Sequence, residues 1–207
     1  MDYLNYGKSD TTKLKRPPIA KSLKDHATIL YHTPLWHIAA PLPERAYEWA
    51  LWYREKYKDE GVKISNRGGF QSPSRAWSDF EFRDHVDSIL GQFKEYKNFY
   101  IANWWLNVNE KGDRNQKHVH SGSDFSAVWY ITNNEGLLVF EDPLTFSRLR
   151  SMKSVFGSTT LQQVNALAGD LLFFPSDLPH FVEEHTLDTP RISVSFNITV
   201  AYDCLED

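Results

Sequence analysis

The sequence has one cysteine, Cys204, two methionines, and no apolar run approaching the roughly 18 residues needed to span a bilayer. One thiol cannot close an internal disulfide or build a multi-cysteine zinc site, so the chain reads as a protein of a reducing compartment, with the cytoplasm as the expected location. The opening segment MDYLNYGKSDTTKLKRPP lacks the apolar stretch of a secretory signal. An excess of positive charge is also missing: 23 Lys and Arg stand against 27 Asp and Glu, a net charge of −4. That balance disfavours nucleic acid as a partner. Repeats and low-complexity tracts are absent as well. What remains is a 207-residue globular composition, 41% hydrophobic and 24% charged, large enough to fold around one core.

Residues 1–25 carry Lys8, Lys13, Lys15, Arg16, Lys21 and Lys24 with few large apolar groups, and read as a flexible basic arm. Residues 26–207 read as a single domain. A helix is expected over about 43–60, opened by Pro43, ended by Gly61, and carrying Ala46, Ala50, Tyr53 and Tyr57 on one stripe. A second is expected over about 79–96, where Ser78 and Glu81 form a capping box and Phe82, Val86, Ile89, Leu90 and Phe93 follow at helical spacing. Between them, SNRGGFQS (Ser65 to Ser72) reads as a loop shaped for close approach. A β-core is expected over about 99–202, where short runs rich in Val, Ile, Phe, Tyr and Trp alternate with turn signals such as Asn133-Asn134-Glu135-Gly136. From Arg191 to Val200 apolar and polar residues alternate strictly. The fold class is therefore mainly β (α+β): a double-sheet jelly roll with N-terminal supporting helices.

Three separated elements carry residues fit for chemistry. His118 and His120 flank Val119; on a strand, residues i and i+2 share a face, so two imidazoles can aim at one metal ion. The run Ala168 to His180 is a turn, an apolar strand and a proline-bounded loop delivering a further histidine, His180. Arg191 heads the alternating strand, with Ser193 on the same face. An inward guanidinium requires an anionic partner, from the protein or from a ligand, because an unpaired buried charge is costly. On the preceding strand Asn103, Trp105, Asn107 and Asn109 share one face, either solvent-facing or turned into the barrel to bind a carboxylate or substrate, with Asn107 best placed. Trp104 and Trp105 otherwise read as core, and Glu183, Glu184 and His185 as a solvated turn.

The order of these elements resembles the Fe(II)- and 2-oxoglutarate-dependent dioxygenases, in particular prolyl-4-hydroxylase-like members and an uncharacterised 2OG-Fe(II) oxygenase group. The likeness runs from about Asn103 to Asn197: the HVH strand end, the strand Ala127 to Thr132, the turn Phe140 to Pro143, the loop FPSDLPH and the strand RISVSFN. It implies a double-stranded β-helix, an iron held by a HxD/E…H facial triad, and 2-oxoglutarate and O2 as cosubstrates. His118 would be the first ligand and His180 the distal one. Arg191 and Ser193 would clamp the far carboxylate of 2-oxoglutarate, with Tyr130 against the same group. His120 stands where that family has Asp or Glu. It is itself the third ligand, or Asp124 in the following turn reaches the metal, or water fills the position; the shared face with His118 favours His120. Three imidazoles leave Fe(II) one unit more positive than two imidazoles and a carboxylate would, which favours an incoming anion.

The implied reaction is hydroxylation of a C–H bond, with His118, His120 and His180 as the catalytic set and succinate and CO2 released. The resemblance points to a peptidyl substrate, proline first, with small metabolites also open. A different class remains: a cupin-like jelly roll that binds metal or a small molecule without oxygenase activity. It shares the AGDLLFFP strand and clustered histidines, but gives Arg191 and Ser193 no purpose.

Overall fold

Alternation puts Ile192, Val194, Phe196 and Ile198 on one face of the last strand and Arg191, Ser193, Ser195 and Asn197 on the other, and the molecule is arranged around both faces. The computed structural model describes residues 33–93, 98–135, 137–143 and 161–201. The expected basic arm, residues 1–25, lies outside them, as do the ends of the second expected helix and of the β-core. In chain order the elements are β1 (Trp36–Ala39), α1 (Ala46–Lys56), β2 (Asn66–Arg67), β3 (Phe70–Gln71), β4 (Arg75–Ala76), α2 (Arg83–Leu90), β5 (Phe99–Asn109), β6 (Arg114–His118), β7 (Phe125–Tyr130), β8 (Leu138–Glu141), β9 (Leu161–Val164), β10 (Asp170–Pro175), β11 (His180–Val182) and β12 (Arg191–Val200). One sheet runs β1-β10-β7-β12-β5-β3 with β4 also on β5, the other β2-β6-β11-β8-β9. Two stacked antiparallel sheets make the jelly roll that the sequence pattern predicts.

The apolar face of β12 packs with Trp104, Leu106 and Val108 of β5 and Ala127 and Trp129 of β7 against Ala46, Ala50 and Tyr53 of α1 and Val86 and Leu90 of α2. Each large side chain fully buried here contributes about 1.5–3 kcal/mol. A smaller core joins the sheets through Tyr130, Leu138, Phe140, Leu172, Phe174 and Val182. The polar face of β12 is buried as well: Arg191, Ser193 and Ser195 have little solvent exposure. They line a cavity between the sheets.

Several expectations are corrected. The first helix begins at Ala46 rather than Pro43, whose carbonyl accepts the Ala46 N–H, and beyond Lys56 it gives way to a 3₁₀ turn over Lys58–Glu60. The second covers Arg83–Leu90, not 79–96. Ser78 lies in a 3₁₀ turn over Trp77–Asp79 and donates to Asp79, and no side chain among the described residues caps the helix at Phe82. The reason is packing. Phe80 sits 4.8 Å from Trp104 and 5.7 Å from Phe196, Phe82 sits 5.2 Å from Trp49, and both are buried. A helix would set residues i and i+2 on nearly opposite sides, exposing one of the two.

The β structure is not confined to residues after 99, since β1 to β4 belong to the sheets. The segment SNRGGFQS is not a plain loop either. Its first half pairs with β6 in one sheet and its second half with β5 in the other, so Gly68 and Gly69 (φ 76° and 64°) turn the chain from sheet to sheet. A Cβ on Gly69 would lie 2.8 Å from the Val108 carbonyl oxygen. Among the described residues no helix is long and apolar enough to cross a membrane.

Candidate active site

Antiparallel pairing of β6 with β11 sets His180 directly opposite His118. His120 lies just beyond the end of β6 rather than on it, yet its backbone N–H donates to the Ser176 carbonyl at 2.9 Å, which keeps its ring with the others. Nitrogens of the three imidazoles lie within 4.8 Å of one another, and no other such group of potential ligands occurs among the described residues. His118 Nδ1 bonds the Gln116 carbonyl at 2.7 Å and His180 Nδ1 the Leu178 carbonyl at 2.8 Å. A carbonyl only accepts, so both Nδ1 atoms carry the proton and both Nε2 lone pairs are free for a metal. His120 Nε2 and His180 Nε2 are 3.2 Å apart. Two nitrogens each about 2.1 Å from a metal, at right angles, would lie about 3.0 Å apart. The donor set thus fits an ion such as Fe(II), for which imidazole is a suitable ligand.

The electrostatics agree. Burial lowers the pKa of His118. Burial and then the nearby His118 lower that of His120 to about 4 and that of His180 to about 3. All three are neutral near pH 7, the form that ligates metal. Trp105 stacks on the His120 ring at 5.5 Å. Asp124 is not in the group; its carboxylate accepts the Val200 N–H at 2.8 Å.

Arg191, Ser193 and Asn107 line the same cavity of about 260 Å³ as the histidines. Arg191 is only 3% exposed, and among the described residues no carboxylate pairs with it. Its Nε donates to Asn134 Oδ1 at 2.9 Å and its Nη1 to Asn109 Oδ1 at 3.4 Å. Burial lowers its pKa, with Tyr130 opposing the shift. The guanidinium lies over the Tyr130 ring at 5.3 Å, and the buried Tyr130 hydroxyl, close enough to Arg191 to oppose its pKa shift, makes no hydrogen bond of normal length among the described residues. Burial raises the Tyr130 pKa, and the charge on Arg191 opposes it. Tyr130 itself is not on the cavity wall, unlike Asn107, whose amide donates to Ser195 Oγ at 3.0 Å.

Asn103 turns inward too and accepts from Asn197, so the amide-bearing face of β5 points into the barrel rather than to solvent. Two residues of this region escape a sequence reading. Asn134 passes for an ordinary turn residue, and Trp105 for core. The alternation that links Trp105 to Asn107 was the available signal for the second. His185, expected on a solvated turn, is buried, with Nε2 on the Thr189 carbonyl at 2.6 Å.

Fold and site together define a jelly roll with a three-histidine metal cage and a buried cation in one cavity. Residues 103–197, which hold every one of those groups, match the family described as "Putative 2OG-Fe(II) oxygenase". Over that segment the chain is similar to the Fe(II)- and 2-oxoglutarate-dependent oxygenases. Solved structures share the fold at low identity. A prolyl-4-hydroxylase from Pseudomonas putida is 15% identical, with 81% of this chain and 93% of that one covered and a TM-score of 0.53. HygX from Streptomyces hygroscopicus, with nickel and 2-oxoglutarate bound, is 12% identical, with 82% and 84% covered and a TM-score of 0.54. A prolyl hydroxylase from Trichoplax adhaerens, in complex with a hypoxia inducible factor oxygen degradation domain peptide fragment, is 14% identical, with 80% and 83% covered and a TM-score of 0.53. No curated protein sequence matches the chain.

Proposed function

We propose that this enzyme hydroxylates a C–H bond of a peptidyl side chain, with His118, His120 and His180 holding Fe(II) and Arg191 with Ser193 holding the far carboxylate of 2-oxoglutarate. The observation that carries the reading is a buried guanidinium, with no carboxylate partner among the described residues, in a cavity that also holds three neutral imidazoles. A buried cation without an internal partner costs several kcal/mol, and a dicarboxylate supplies the missing charge. Tyr130, its ring against the Arg191 guanidinium, backs that clamp from behind the cavity wall, and Asn107 serves the other end of the cosubstrate or the substrate. Iron, 2-oxoglutarate and O2 would supply the oxidising chemistry: O2 is the oxidant, one of its oxygen atoms going to the substrate C–H carbon and the other to oxoglutarate, which would leave as succinate and CO2.

The chain's own part is positioning. Carbonyls of Gln116 and Leu178 fix two histidine tautomers, and Phe140 and Phe174 pack on the His180 ring at 5.9 and 5.0 Å to keep it dry. A peptidyl substrate fits the dimensions. The 260 Å³ cavity falls below the roughly 300–1,000 Å³ of pockets that enclose whole small molecules. Beside oxoglutarate it leaves room for one side chain of a larger body. Ile64 and Val119, 69% and 47% exposed, offer that body an apolar lip at the cavity. Proline is the first residue to try.

The test is an anaerobic absorption titration with Fe(II) and then 2-oxoglutarate. A weak visible charge-transfer band requiring both is expected, absent in His180→Ala. Arg191→Ala should keep iron but need at least about thirtyfold more oxoglutarate, from the roughly 2 kcal/mol or more that losing one partner of a buried charge pair costs. Iron binding with no band at any oxoglutarate concentration would instead leave a cupin-like binding protein. Succinate release stimulated by proline-containing peptides supports the peptidyl substrate; stimulation by small metabolites alone would overturn it.

A further inference from the structure

We propose that Asn134 and Asn109 are positioning residues for cosubstrate binding: two neutral amides that aim the Arg191 guanidinium without neutralising it, reserving its charge for a carboxylate from outside. The inference rests on the role given to Arg191 above. A guanidinium has five N–H donors and no acceptor, so each amide must turn its oxygen toward it. That sends both NH2 groups the other way. Asn134 Nδ2 donates to the Val164 carbonyl at 2.7 Å, and Asn109 Nδ2 to Asn115 Oδ1 at 3.3 Å. Asn115 Nδ2 continues to Ser65 Oγ at 3.1 Å. One charge therefore sets the orientation of a line of buried amides running from the loop after β7 to the segment before β2.

Asn134 is fully buried and otherwise satisfied, its N–H on the Ala166 carbonyl and its own carbonyl accepting from Leu137. Among the described residues the two asparagines take one N–H on Nε and one on Nη1, which leaves Nη2 and the second Nη1 hydrogen directed elsewhere, enough for a two-pronged bond to a carboxylate. A buried arginine is commonly neutralised by Asp or Glu. Amides at both positions do the aiming and leave the charge uncompensated. Asn134→Asp keeps the shape and places a competing carboxylate on Arg191 Nε, while giving up the Nδ2 bond to the Val164 carbonyl.

The experiment is the same anaerobic titration of iron-loaded protein with 2-oxoglutarate, together with iron affinity and melting temperature of each variant. For Asn134→Asp we expect at least a tenfold rise in the oxoglutarate dissociation constant and unchanged iron affinity, the lost Val164 bond showing only as a modest fall in melting temperature. Asn109→Asp should behave alike and stands in if the first variant does not fold. Parental oxoglutarate affinity in both variants overturns the proposal, as does a loss of oxoglutarate binding matched by equal losses of iron binding and melting temperature. If Arg191→Ala also keeps parental oxoglutarate affinity, the role of Arg191 itself has failed. If Arg191→Ala weakens binding and the aspartate variants do not, only the positioning role falls.

Discussion

His120 is held differently from its two companions. His118 and His180 are each anchored through Nδ1 to a main-chain carbonyl two residues back, an anchor that no side-chain replacement at Gln116 or Leu178 removes. His120 has instead the Ser176 carbonyl on its backbone and the Trp105 indole on its ring. Trp105→Leu should therefore weaken iron binding about tenfold, the scale of losing a group that orients a metal ligand, while Trp105→Phe, which keeps a stacking face, should stay near the parent. Competitive metal titration decides; equal losses in both variants would show that the indole only fills space. The histidine pair was legible because spacing by two survives even where the strand has ended. Its support was not, because Trp105 stands on another sheet and looks like any buried aromatic. Asp124, disfavoured by its place in the following turn, has its carboxylate on the Val200 amide instead.

At the scale of elements, legibility followed pattern length. The ten-residue alternation of β12 and the apolar run of β10 declared themselves, β10 because Leu171 and Phe173 enter one core and Leu172 and Phe174 the other. Two-residue strands such as β2 and β3 have no period to read, and the capping box at Ser78 lost to the burial of Phe80 and Phe82. The corner between β2 and β3 carries its own prediction. Gly69→Ala combines a left-handed φ with a Cβ close to the Val108 carbonyl, against backbone that cannot swing aside. It should cost about 2 kcal/mol or more in urea unfolding, and a loss below about 0.5 kcal/mol would mean that the corner relaxes freely.

For the whole molecule, burial of neutral histidines makes stability depend on pH in one direction. The free imidazole titrates near 6.5 and native His180 near 3, so between those values the unfolded chain holds a proton that the native one does not. Stability is then complete above about pH 6.5 and falls as the pH drops, by about 1.4 kcal/mol per unit for His180 alone. His120 adds to the slope until about pH 4. Unfolding free energies of the metal-free protein from urea melts at pH 7.5 and 5 should differ by at least about 2 kcal/mol, and a flat profile would contradict the burial of these rings.

One further consequence comes from β12. It is paired along its length with β5 and over six residues with β7, and both of its faces are covered, one by hydrophobic packing and one by the cavity wall. Its central amides have no local opening that frees them, so their hydrogen exchange should follow global unfolding. Because Arg191, the first residue of that strand, is where the cosubstrate is expected to attach, binding should slow exchange along the strand by the factor it adds to the folding equilibrium. The most protected amides of the protein then become its reporter of cosubstrate occupancy.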